Sequence, residues 1–381
     1  MRFPNSIKRR RCFYCFRGFQ MRDCAVVSVQ PTLEAAKNHR VLKKAPEGFA
    51  RQLAVGYLSG LNRYAGQNPA WACPHCLHPL PANIVDTPAY VLGIIGGRAA
   101  GKSHYIAMLI HMLLNDRQTQ SIGLSEAIAA TSLVAEYYDY EYHQPFFSER
   151  VPLEPTDPVS INSRPQPLIY TITFRSRPRM QPTSLNLVLL DYAGEDFTNE
   201  QSLVDHVRFL PYVDGLILLI DPLMMPGLQQ RFPLHLQQQF NAGAPAVTVL
   251  ENVIRVLRGS TNQSSDGLLN VPLVLALSKA DLLRYASPVP GQPSLPIASV
   301  STSSFDPDMF KARGTQICKF CQEVDGPRID LLAHAFRTYA YSMVSATGRS
   351  VDRTGHFGRL GQILQPIQCL DPLLWLLNLH H

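Results

Sequence analysis

From residue 90 onward the chain alternates short apolar runs with longer segments of helical periodicity. Residues 90–95 form an apolar run that ends in glycines, and residues 103–115 follow with apolar positions at helical spacing. Strand, glycine turn and helix in that order make an α/β unit. Residues 168–174 alternate, as a strand with one exposed face does. Residues 185–190, 215–220 and 271–277 are near-continuously apolar, broken only by Asn186 in the first, and 341–344 is a shorter run with Ser342 inside it. Such runs suit strands buried on both faces of a parallel sheet. Helices are predicted between them at 246–257 and 329–339. The pattern predicts a three-layer α/β domain with a mainly parallel sheet. Polar residues follow the runs (Asp191, Asp221, Lys279, Ser345), at the strand ends where such sheets bind ligands. Two stretches rich in Pro and Ser, 144–167 and 286–307, read as loops. The last apolar segment, 360–377, carries Pro366 and Pro372 and reads as a broken helix packed on the domain.

The N-terminal part differs. Residues 1–81 are mixed and are bracketed by two cysteine pairs, and Asp86-Thr87-Pro88 reads as a joint. This divides the chain into a small module, 1–86, and a large domain, 87–381. A hydrophobic fraction of 46% in 381 residues supports a sizeable core. The basic excess is local: residues 1–51 hold 12 Lys/Arg against 3 Asp/Glu. Lys8-Arg9-Arg10-Arg11 reads as a solvated tail or as a contact to nucleic acid or anionic lipid, with no aromatic platform beside it. Polar residues in 12–21 break any secretory apolar core, and no stretch reaches the ~18 apolar residues of a membrane span. A cytoplasmic protein is expected, with its eight cysteines as thiols or metal ligands.

Gly96-Gly97-Arg98-Ala99-Ala100-Gly101-Lys102-Ser103 fits G-x-x-x-x-G-K-[ST], after a strand and before a helix. Glycines let the backbone curl so that its N–H groups face phosphate oxygens, and the helix adds its positive end. Lys102 would reach the β- and γ-phosphates, and Ser103 would ligate Mg²⁺. Asp191 ends a buried strand, where a carboxylate serves the metal. Asp191-Tyr192-Ala193-Gly194 also reads D-x-x-G, with the Gly194 N–H available to the γ-phosphate. Ser278-Lys279-Ala280-Asp281 is similar to the N/T-K-x-D element that reads guanine: Asp281 accepts from N1–H and the N2 amino group while the Lys279 stem packs along the base. Ser278 departs from the usual Asn or Thr. Ser345-Ala346-Thr347 is similar to an S-A-K element whose backbone contacts guanine O6, with Thr347 in place of Lys.

Cys12-Phe-Tyr-Cys15 and Cys73-Pro-His-Cys76 are two C-x₂-C knuckles, together the ligand set of a tetrahedral Zn²⁺ site. The long spacing between them is attributed to an insertion around the apolar-periodic segment 49–61. Cys24, His75 and His78 are alternative ligands. Cys318 and Cys321 share a helix face and read as buried or half-buried thiols, with metal binding as the alternative, and Cys369 reads as core.

From about residue 90 to 347 the chain resembles the Ras-like, TRAFAC-class P-loop GTPases. Asp191-Tyr192-Ala193-Gly194-Glu195-Asp196-Phe197, Asp221-Pro222 and Asp371-Pro372-Leu373-Leu374-Trp375-Leu376-Leu377 are similar to bacterial double-GTPase-group domains, often preceded by a zinc ribbon. The resemblance implies a GTP/GDP- and Mg²⁺-dependent switch in a multi-component, defence-related system, with a second GTPase or an effector as partner. Two departures bear on catalysis. Glu195 stands where Ras-like enzymes place a water-orienting Gln, and its charge repels the γ-phosphate. Arg98 either crowds the transition state, acts as a cis arginine, or points to solvent. Slow intrinsic turnover is expected, with Lys102, Glu195, Arg98 and a switch threonine as the catalytic set. Thr156 is the choice for that threonine, with Thr131 its rival. Two alternatives stand: a P-loop ATPase, in which Lys279 and Asp281 pair by accident, and a non-hydrolysing scaffold that binds its partner through the zinc module.

Overall fold

The computed structural model describes residues 10–29, 40–43, 69–115, 123–158, 166–175, 183–198, 203–204, 207, 209–237, 244–259, 265–288, 305–348 and 364–379. At its centre lies a seven-stranded sheet. Its strands in chain order are β6 (Ala89–Gly96), β7 (Leu124–Ala129), β8 (Leu168–Phe174), β9 (Thr183–Leu190), β10 (Gly215–Ile220), β11 (Leu273–Leu277) and β12 (Tyr339–Met343). Across the sheet they run β12-β11-β10-β6-β9-β8-β7. The first five of that order are mutually parallel, and β8 and β7 are antiparallel to their neighbours.

The continuous apolar runs become the inner strands because both faces are covered. Every residue of β10 and β11 is buried. The helices are α1 (Lys102–Asn115), α2 (Ser132–Tyr138), α3 (Ala246–Arg258), α4 (Pro307–Asp325), α5 (Arg328–Ala333) and α6 (Asp371–Asn378). The last segment is helical only over α6, whose Trp375 stacks on Phe310 of α4 at 5.7 Å. Before it, Ile367 bridges Ser345, so the chain from 364 runs extended beside the sheet. Residues 360–363 lie outside the described residues.

The fold departs from the periodicity in three places. The helix predicted over 329–339 stops at Ala333. Leu269 N–H donates to Ala335 O and Arg337 N–H to Leu269 O, and that pairing draws the chain into β12 from Tyr339. The loop read over 144–167 begins as a wide π-helical segment, Asp139–Ser148, which continues α2. Strand β7 was not legible: as an edge strand it has one ladder partner and a mostly exposed face.

The N-terminal part is a hairpin of β1 (Arg10–Arg11) and β2 (Gly18–Phe19), with a three-stranded antiparallel sheet of β3 (Ala25–Ser28), β4 (Arg40–Lys43) and β5 (Pro69–Ala72). Segment 49–61 lies outside the described residues, as do Lys8 and Arg9. Arg11 of the basic cluster is not a free tail residue: its guanidinium lies 3.9 Å over the Tyr212 ring. No helix among the described residues is long and apolar enough to cross a membrane.

Candidate functional site

The phosphate-loop motif folds as the glycines require. Ala99 and Gly101 take positive φ, 58° and 88°, and the chain then enters α1 at Lys102. Lys102 is buried, and its ammonium donates to Gly96 O at 3.2 Å and Gly97 O at 3.1 Å. Burial lowers its pKa, and the carboxylates of Asp191, Glu195 and Asp196 act the other way. The D-x-x-G segment lies directly on the loop. A Cβ on Gly194 would collide with Arg98 N and Cα and with Gly97 C, so the close approach requires glycine there.

The two predicted metal-site residues, Ser103 and Asp191, meet the chosen switch threonine, Thr156, at the loop's end, from three separate stretches. Ser103 Oγ is 2.9 Å from Thr156 Oγ1, and Thr156 donates to Asp191 Oδ2 at 3.2 Å. The rival, Thr131, is occupied elsewhere: it caps α2 by accepting from Val134 N–H. A fourth residue, absent from the sequence reading, joins them: Tyr142 of the π-helical segment donates to Asp191 Oδ2 at 3.2 Å. Burial raises the Asp191 pKa, against hydrogen bonds from Ser103, Thr156 and Tyr142 and the charge of Lys102. The other carboxylate oxygen, Oδ1, is buried and has no hydrogen-bond partner among the described residues. A bare buried acceptor costs roughly 1–3 kcal/mol, more when charged. Two hydroxyls and a carboxylate are the hard oxygen donors Mg²⁺ takes, often through water, so the residues fit that ion.

The threonine segment is held from α1. His104 Nε2 accepts from Leu153 N–H at 3.1 Å, which requires a neutral ring. Burial, helped by the charge of Lys279, pushes the His104 pKa down to about 4. Arg98 and Glu195 pair with each other, Nε to Oε1 at 3.2 Å, with side chains 60% and 35% exposed. The arginine is thus more than half exposed and ion-paired with Glu195.

The two predicted base-reading elements converge beyond the ends of β11 and β12. Ser345 Oγ donates to Asp281 Oδ1 at 2.5 Å and accepts from Gly348 N–H at 2.9 Å. Ser345 is itself fixed in both directions by backbone bonds to Ile367. Asp281 is 3% exposed, and burial raises its pKa against the Ser345 hydrogen bond. Ala346 is half-buried beside Ser345. Ser278 bonds Ile220 O through its hydroxyl at 3.1 Å, bracing the turn where Asn or Thr is usual. Lys279 has φ +49° and its ammonium is anchored on Asp221 at 2.6 Å. The sequence marked Asp221 as the polar end of a strand run and as part of the Asp221-Pro222 resemblance, but not as the partner of Lys279.

The four knuckle cysteines come together, with all four sulfurs within 4.8 Å of one another. Cys12 and Cys76 are 3.6 Å apart, and Cys15 and Cys73 are 3.8 Å apart. Four thiolates each ~2.3 Å from one Zn²⁺ would stand about 3.8 Å apart. The knuckles repeat one local geometry. Tyr14 N–H and His75 N–H each donate to the first sulfur of their pair at 3.4 Å. Phe16 and Leu77, each just after the second cysteine, take φ of 56° and 60°. The donor set and spacing fit Zn²⁺. His75 and His78 turn to backbone carbonyls of Gly18 and Cys76, and Cys24 to Gln20 O. Cys318 pairs with Asp330, and Cys321 is buried.

A mainly parallel sheet carrying a phosphate loop, with D-x-x-G laid over it and a buried Asp braced at the end of β11, defines a P-loop GTPase. The chain belongs to the Double-GTPase 2 family, whose model matches residues 90–313. It is a GTP-binding protein of that class. It is 25% identical over 323 residues, 80% of this chain and 78% of the other, to the Mycolicibacterium smegmatis protein named "Putative ESX-1 scaffolding and assembly protein SaeC". Among solved structures it is similar to the signal recognition particle receptor SRb-GTP/SRX complex from Chaetomium thermophilum, with 15% identity and a TM-score of 0.31 over 69% of this chain and 94% of that one. It is also similar to the GTP-bound Ski7 GTPase-like domain of S. cerevisiae, with 13% identity and a TM-score of 0.29 over 68% and 44%. Family membership rests on the family model.

Proposed function

We propose that the chain is a nucleotide-dependent switch that binds GTP and GDP with Mg²⁺, hydrolyses GTP slowly by itself, and acts on a protein partner. The observation that carries this reading is the meeting of Ser103, Thr156 and Asp191 beside Lys102, with one buried Asp191 oxygen left bare. Thr156 lies in an irregular stretch that is tied to the metal-site residues only by side-chain bonds. Such a segment can be ordered by a γ-phosphate and released after hydrolysis. Ser103, Thr156 and Asp191 would hold Mg²⁺, which when bound neutralises phosphate charge. Lys102 exchanges two neutral carbonyl acceptors for phosphate oxygens, a stronger charge-assisted bond. Asp281, oriented by Ser345, supports guanine over adenine and favours GTP over the ATP alternative.

Slow turnover follows from the Arg98–Glu195 pair. While paired, Arg98 is withheld from a transition state, and Glu195 offers a carboxylate where orientation of water against a phosphate calls for a neutral group. A partner that takes either residue would release the other. The name of the mycobacterial relative supports a partner within a multi-component assembly. We read residues 1–86 as a Zn²⁺-held module seated on the nucleotide domain, 87–381.

Competition binding tests the reading. Labelled GTP should be displaced by excess GDP and not by ADP, and Lys102→Ala should fold and bind neither nucleotide. Displacement by ADP but not GDP would end the GTP reading. A folded Lys102→Ala chain with full cellular activity would favour the non-hydrolysing scaffold.

A further inference from the structure

We infer that Tyr142 is a positioning residue for the Mg²⁺ site, setting the metal dependence of nucleotide binding by holding the Asp191 carboxylate. The inference rests on the nucleotide and Mg²⁺ reading above and adds a residue from outside the known motif positions.

Tyr142 comes from the π-helical segment Asp139–Ser148, a geometry rarely sustained beyond one turn and frequent at functional sites. The segment is mounted rigidly on α1. Phe147 stacks on His111 at 4.2 Å between ring centroids, Phe146 meets His104 edge-on at 5.1 Å, and Tyr138 donates to Ala107 O at 2.9 Å. The phosphate loop feeds directly into α1. One rigid unit thus carries Lys102 and Ser103 at one point and presents the Tyr142 hydroxyl at another.

That hydroxyl is buried and donates to Asp191 Oδ2, the oxygen that Thr156 also reaches. The bare oxygen, Oδ1, is the one free to serve a metal. If Thr156 and Ser103 turn to the ion, Tyr142 remains as the donor that keeps Oδ2 occupied and Oδ1 aimed. Groups that orient metal-serving carboxylates in this way typically change metal affinity about 10–100-fold when removed. The same bond joins the strand carrying Asp191 to the segment that leads into Thr156.

The experiment compares wild type, Tyr142→Phe and Tyr138→Phe by fluorescent GDP and GTP binding across a free Mg²⁺ titration and in excess EDTA. Phenylalanine keeps the ring packing and removes only the hydroxyl. Tyr138→Phe loses a buried hydroxyl of the same unit that does not touch Asp191. In Tyr142→Phe the Mg²⁺ concentration giving half-maximal nucleotide retention should rise about tenfold or more, with affinity in EDTA unchanged. Tyr138→Phe should follow wild type. An unshifted Mg²⁺ midpoint in Tyr142→Phe overturns the inference, as does an equal loss of affinity in EDTA. A wild-type chain whose nucleotide affinity ignores Mg²⁺ removes the reading of the site and this inference together; a Mg²⁺-responsive wild type with an unshifted Tyr142→Phe removes this inference alone.

Discussion

Cys76→Ser is the sharpest test of the N-terminal module. Cys76 is the half-buried member of the four, so the change costs little packing beyond the ligand itself. The Cys12–Cys76 and Cys15–Cys73 separations, 3.6 and 3.8 Å, leave room for one Zn²⁺ at the centre. Without a cation, four thiolates in one buried cluster repel one another, and protonated thiols leave the knuckles without a cross-link. Structural Zn²⁺ sites hold their metal with roughly 10–16 kcal/mol, which is folding energy for the module. Loss of the module reaches the nucleotide domain through an aromatic seat, which lies apart from the Asn83 hydrogen bonds to Thr171 and Asn186. Phe16 stacks on Tyr212 at 6.2 Å and lies tilted to Phe209 at 6.3 Å, and Arg11 covers Tyr212. Two aromatic contacts and one cation–π contact amount to roughly 2–4 kcal/mol. In a domain of this size that lowers the unfolding midpoint by roughly 3–7 °C. Metal analysis after gel filtration should find one Zn²⁺ per wild-type chain and little in Cys76→Ser, with the midpoint lowered as stated. Tyr212→Ala should lower the midpoint while keeping its zinc. Wild-type protein purified without chelator and empty of zinc would refute the metal, and zinc loss with an unmoved midpoint would refute the bracing.

Three further outcomes are expected. Asp281→Asn keeps an acceptor for Ser345 but turns an amino group toward the base's donors, so GTP affinity should fall by about 100-fold or more with weak ATP affinity unchanged; equal loss for both nucleotides would mean that Asp281 does not read the base. Glu195→Gln breaks an ion pair worth at most about 1 kcal/mol at this exposure, so stability should hold while single-turnover GTP hydrolysis rises by about tenfold, equivalent to ~1.4 kcal/mol in the barrier; an unchanged or slower rate would show that Glu195 is not the brake. Burial raises the Asp371 pKa from 3.8 to about 6 despite Arg313 at 3.6 Å. The folded state therefore holds this proton more tightly, and the associated stability is present below about pH 4 and lost as pH rises through 6. Urea unfolding of Asp371→Asn and wild type at pH 4.5 and 7.5 should show the variant gaining on wild type by about 2 kcal/mol at the higher pH; a pH-independent difference would contradict the shift.

The sequence by itself determined the features whose cause is local. Near-continuous apolar runs at 185–190 and 215–220 can only be strands covered on both faces, and they are. The glycines at 96, 97 and 101 permit the close backbone approaches and one of the two left-handed residues the phosphate loop uses, the other being Ala99. Each C-x₂-C pair encodes its own knuckle. Tertiary structure decided which of these pieces meet. Cys12 finds Cys76 across 64 residues, and Tyr142 finds Asp191 across 49. Thr156 reaches Ser103 while Thr131 is consumed as a helix cap. Arg98 and Glu195, each readable alone as a departure from Ras-like enzymes, proved to be partners. Strand β7 and the early end of α5 follow the same rule, since both depend on a ladder partner distant in sequence. Periodicity and φ preferences act over a few residues and can be read along the chain. A side-chain hydrogen bond or a strand pairing depends on where packing brings two distant segments, and no local pattern carries that position.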